Sequence, residues 1–117
     1  MHAGWPMLDD LLALLYAHPQ VYVDVGVIVF ALPRAEFYRY LQRIVEAGFG
    51  KRVMFGSDQM VWPETIDRGI GTIVEAPFLS EEQKRDILRS IRVPKVTFQP
   101  TPQPSQPTPP WDALPSP

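Results

Sequence analysis

The chain's pattern predicts an α/β fold built from parallel βα units. Two stretches carry that expectation. Gln20-Val21-Tyr22-Val23-Asp24-Val25-Gly26 is rich in β-branched and aromatic residues, as strands are. Val53-Met54-Phe55, between Lys51-Arg52 and Gly56-Ser57-Asp58, is a short apolar run bounded by turn residues. Such a run fits a strand buried on both faces, as in a parallel sheet. Helical periodicity lies before, between and after the two stretches, and strands alternating with helices indicate parallel units with helical crossovers.

The elements follow in order. Leu8, Leu11, Leu12, Leu15 and Tyr16 recur at helical spacing, so a first helix runs from about Met7 to His18. Pro6 suits its first turn, and Asp9 and Asp10 offset the helix dipole there. Pro19 disfavours helix at His18 and ends it. The strand at 20–26 comes next. Val27 to Leu32 stays apolar with no clear period, as a packed loop or the strand's end would. Pro33 and Arg34 open a second helix to about Ala47, with Phe37, Tyr40, Leu41, Ile44 and Val45 as its apolar stripe. Gly48 is its expected stop.

The second strand follows and runs to Gly56, where glycine lets the chain turn out of the sheet. Pro63 to about Glu75 forms a weaker third helix, because Gly69 and Gly71 each disfavour helix by roughly 1 kcal/mol relative to alanine. Ser80-Glu81-Glu82-Gln83 is a capping box that opens a fourth helix to about Arg92, with Ile87, Leu88 and Ile91 inward. Nine of the fourteen prolines lie from Pro94 onward. That composition cannot bury a core, so the expected division is a folded part at 1–93 and a disordered proline-rich tail at 94–117. Two P-x-x-P spacings, from Pro104 to Pro107 and from Pro107 to Pro110, lack a neighbouring basic residue. A plain tail is expected over a groove-binding ligand.

Bulk properties exclude several classes. The chain has 117 residues and a formal net charge of −2, which offers no basic surface for nucleic acid. It has no cysteine, hence no disulfide and no thiolate metal site. No apolar run approaches the ~20 residues of a membrane span, and the N-terminus lacks the basic region of a secretory signal. The expectation is a cytoplasmic protein with no nucleic-acid or membrane partner.

Two acids stand out. Asp58 falls just past the carboxyl end of the second strand, where α/β folds place their chemistry. It also suits a turn, which is the simpler use of an aspartate there. Asp24 sits in an otherwise apolar strand, so its charge must be paired, solvated or functional.

Three stretches, His2-Ala3-Gly4-Trp5-Pro6, His18-Pro19-Gln20-Val21-Tyr22-Val23-Asp24 and Arg52-Val53-Met54-Phe55-Gly56-Ser57-Asp58, resemble in order and rough spacing the C-terminal part of the amidohydrolase-related, metal-dependent hydrolases. Decarboxylases of the aminocarboxymuconate-semialdehyde type belong to the same group. The likeness covers about residues 2 to 91. It implies the last βα units of a (β/α)8 TIM barrel, incomplete here because a closed barrel needs eight strands. It implies a divalent metal, often zinc, and a small organic substrate. Asp58 matches the aspartate that ligates the metal or handles the water's proton, and carboxylates suit both tasks. His2 matches a histidine that acts on substrate or water, and imidazole suits proton transfer near neutral pH. No catalytic role passes to Asp24.

The departures are as specific as the matches. The family's first strand carries an H-x-H metal-binding pair, whereas this chain has only His2 and His18. A middle-strand histidine is also missing, and Ser90-Ile91-Arg92-Val93-Pro94 replaces an asparagine-containing segment. The expectation is a C-terminal fragment of a metal-dependent hydrolase or decarboxylase, inactive as this chain alone, with His18 a plain helix-end residue. The alternative is a non-enzymatic half-barrel that self-associates as a homo-oligomer through its uncovered edges, or presents the proline tail to a partner.

Overall fold

The computed structural model describes residues 2–58 and 60–89. The tail at 94–117, its P-x-x-P spacings and the expected helix end at 90–92 lie outside them. The elements are α1 (Leu8–Ala17), β1 (Val23–Asp24), α2 (Ile28–Ala31), α3 (Arg34–Ile44), β2 (Val53–Met54), α4 (Glu64–Val74) and α5 (Glu81–Arg89). A single 3-10 turn at His2–Gly4 precedes them.

β1 and β2 form a parallel pair in which Val23 faces Val53 and Asp24 faces Met54. The pairing extends one residue further, where the Val25 N–H donates to the Met54 carbonyl. Parallel strands need a long crossover, and α2 and α3 supply it. Both strands are shorter than their sequence patterns suggest. On its far side β2 meets α5: the Phe55 N–H donates to the Ile87 carbonyl at 3.0 Å.

The crossover helix α3 lays its inward stripe into the core, with Phe37, Tyr40, Leu41 and Ile44 all buried at helical spacing. Val23, Val25 and Val53 from the strands, Ile28 and Val29 from α2, Ile73 from α4 and Ile87 from α5 complete the core. α1 contributes Leu12 and Leu15, while Leu14 and Tyr16, on opposite flanks of that buried stripe, are exposed. The apolar character of α1 therefore exceeds what these neighbours cover.

Three local outcomes differ from expectation. The stretch at 27–32 is neither loop nor strand end: four of its residues make α2. The second helix leaves α geometry at Ile44 and closes through a wider turn, Val45–Phe49, in which Gly48 has φ 92°. Gly69 is not merely a weak helix residue. A β-carbon there would lie 3.2 Å from both Phe55 and Val29, so glycine lets α4 approach the end of β2 and α2.

Arg52 joins α1 to β2. Its guanidinium donates to the carbonyls of Leu15 and His18 at the end of α1, and lies 4.5 Å above the Phe49 ring. A cation at a helix C-terminus also complements the dipole. His18 is thus a helix-end residue, its N–H bonded to the Leu14 carbonyl. The capping box forms as expected, with Ser80 Oγ accepting from Gln83 N–H and Gln83 Oε1 accepting from Ser80 N–H. Among the described residues, no helix is long and apolar enough to cross a membrane.

Candidate functional site

Beyond the carboxyl ends of the two strands, three segments converge: the turn at His2, the chain leaving β1 at Gly26, and the chain leaving β2 at Asp58. Backbone strain marks the place. Among the described residues, the non-glycine positions with positive φ are His2 (51°), Ala3 (50°), Val27 (63°) and Asp58 (47°). Aspartate tolerates this region, but a β-branched valine does so only under constraint. Strain of this kind is a pointer to function when its cause is visible.

The cause at Val27 is a γ-turn. Val27 has φ 63° and ψ −57°, and the Ile28 N–H donates to the Gly26 carbonyl at 2.8 Å. This is the rare, strained form of the γ-turn. The same carbonyl takes a second donor, His2 Nδ1, at 2.9 Å. A carbonyl only accepts, so His2 carries its proton on Nδ1 when neutral and presents the Nε2 lone pair. Nε2 lies 3.8 Å from Asp58 Oδ2. That is too long for a direct hydrogen bond. His2 and Asp58 keep 38% and 48% of their side-chain surface exposed, so a solvent-borne molecule can reach both.

The turn that bears His2 is held from the core. Ala3 is buried, and its carbonyl accepts from Tyr40 Oη at 2.8 Å. Asp24 takes the local role: its Oδ1 accepts from the Gly26 N–H at 2.6 Å. Its carboxylate also lies against Gly56, where a β-carbon would sit 2.5 Å from Oδ1.

The structure therefore brings His2 and Asp58 together and leaves His18 apart, at the end of α1. Gly26 was missed because a backbone carbonyl leaves no side-chain signature. The available signal was positional, a glycine just beyond one strand's end and a second, Gly56, just beyond the other's.

A histidine whose Nδ1–H donates to a carbonyl while Nε2 faces a carboxylate has the orientation of a metal-ligating histidine. Two donors do not make a site, because zinc takes three or four protein ligands. Among the described residues, no group of three His, Cys, Asp or Glu side chains is placed to hold a metal ion. The pair by itself does not fit a resident metal.

Parallel βα units with an accessible histidine–aspartate pair beyond the strand ends define an α/β protein with a candidate site at its strand ends. The amidohydrolase family model matches residues 1–90, which include every element described above. The chain belongs to the amidohydrolase family. That family is generally metal-dependent. No curated protein and no solved structure matches the chain.

Proposed function

We propose that this chain supplies the C-terminal βα units of a (β/α)8 barrel, and that its His2–Asp58 pair is part of a hydrolytic or decarboxylating site for a small organic substrate. The observation that carries the reading is the facing of His2 Nε2 and Asp58 Oδ2 beyond two parallel strand ends. His2 is oriented to take a proton from water or substrate at Nε2, because Nδ1 is committed to Gly26. Asp58 offers a carboxylate as proton acceptor or as one ligand of a divalent metal, zinc in the reading from resemblance. A complete metal site would need one or two further ligands besides this pair.

Met7, which precedes α1, and Leu14, two helical turns further on along the same flank, are exposed apolar residues that support a second reading in which copies of the chain associate.

The test is the native species. Capture from the natural source with an antibody against α5, followed by intact mass and metal analysis, should give a longer chain or an assembly containing a divalent metal. A metal-free monomer of 13.3 kDa would contradict the proposal.

A further inference from the structure

Asp24 touches both arms of the site without belonging to it. Its Oδ1 holds the Gly26 N–H at 2.6 Å, and Gly26 in turn offers its carbonyl to His2 Nδ1. The carboxylate also fills the space that a β-carbon at Gly56, two residues before Asp58, would need. A β-carbon at Gly56 would lie 2.5 Å from Oδ1 and 2.9 Å from Oδ2, so the two glycines and the carboxylate are mutually fitted. At Gly26 a β-carbon would meet Asp24 Oδ1 at 3.0 Å and Asp58 Cβ at 3.3 Å. The strained turn at Val27 needs an external hold, because a valine relaxes from φ 63° when it is free to do so. The Asp24 carboxylate supplies that hold immediately upstream.

We propose that Asp24 is a positioning residue. Through the Gly26 turn it fixes His2 as the Nδ1–H tautomer and aims Nε2 at Asp58, an inference that rests on the pair's functional reading. Asp24 touches no reacting atom on this account. Its charge is secondary to its acceptor oxygen.

The experiment reads the tautomer in the full 117-residue chain by long-range proton–nitrogen correlation, at a pH where imidazole is neutral. A His18→Gln variant assigns the signals, since the chain has two histidines. The wild type should show His2 protonated at Nδ1. Asp24→Asn keeps an acceptor oxygen and should retain that state. Asp24→Ala should shift His2 mainly to the Nε2–H tautomer that free imidazole side chains prefer.

Gly56→Ala provides a second route, because it displaces the carboxylate while leaving Asp24 and Gly26 in the sequence. It should produce the same shift, and melting curves would confirm that each variant is folded. Retention of the Nδ1–H tautomer in both Asp24→Ala and Gly56→Ala would overturn the proposal, as would its loss in Asp24→Asn. Failure of the functional reading is a separate result, a metal-free native monomer, and leaves these tautomer shifts unaffected.

Discussion

The Tyr40 hydroxyl donates to the Ala3 carbonyl at 2.8 Å, and by that bond the core helix α3 holds the turn that carries His2. Tyr40 is almost wholly buried, and burial pushes its phenol up to about 12. An unfolded tyrosine titrates near pH 10. Between about pH 10 and about pH 12 the unfolded chain therefore loses the proton while the folded chain keeps it. Stability falls as pH rises through that window.

Tyr40→Phe should remove Tyr40's part of that alkaline loss. At neutral pH the variant should be less stable by about 1–3 kcal/mol, because the Ala3 carbonyl is left without its donor. Urea titrations at pH 7 and pH 11 check both expectations.

Gly69 and Gly71 lie two residues apart in α4 and should respond oppositely to alanine. At Gly71 a β-carbon meets nothing within 4 Å. Gly71→Ala should therefore stabilise the chain by about 0.5–1 kcal/mol through helix propensity. At Gly69 the β-carbon meets Phe55 and Val29 at 3.2 Å, so Gly69→Ala should lose that gain and destabilise instead. Thermal melting of the two variants side by side is sufficient.

Arg52→Lys tests the junction of α1 and β2. A lysine cannot present two parallel donors to the Leu15 and His18 carbonyls, nor stack a flat cation on Phe49. The expected loss is about 1–2 kcal/mol by chemical denaturation. An unchanged midpoint would show that Arg52 does not hold the two elements together.

Ser80→Ala should remove one half of the capping box and destabilise the chain by about 1 kcal/mol, read as a lower denaturation midpoint.

What was legible in the sequence is what side chains encode. The stripe Phe37, Tyr40, Leu41 and Ile44 announced α3, and Ser80 with Gln83 announced the start of α5. Asp58 was legible as a residue just past a strand, and the structure places it there. Asp24 was legible as a strand acid that had to be paired, solvated or functional, and its Oδ1 accepts from the Gly26 N–H.

What was hidden is backbone geometry. α2 has no polar face in Ile28-Val29-Phe30-Ala31, so no period could reveal it, and it starts after a valine in a conformation valine rarely adopts. The carbonyl of Gly26 is a site component with no side chain. Gly69 looked like a helix weakness because propensity is local, whereas its reason is Phe55, fourteen positions earlier.

On the function proposed above, the His2–Asp58 pair is only part of a metal-dependent site. Zinc titration of the purified 117-residue chain, followed at the His2 and Asp58 resonances, tests it most directly. The account predicts no stoichiometric uptake at micromolar protein, with weak perturbation of both residues at excess zinc. Tight uptake of one equivalent, abolished by Asp58→Ala and by His2→Ala, would mean that the site is complete within these residues and would contradict the account.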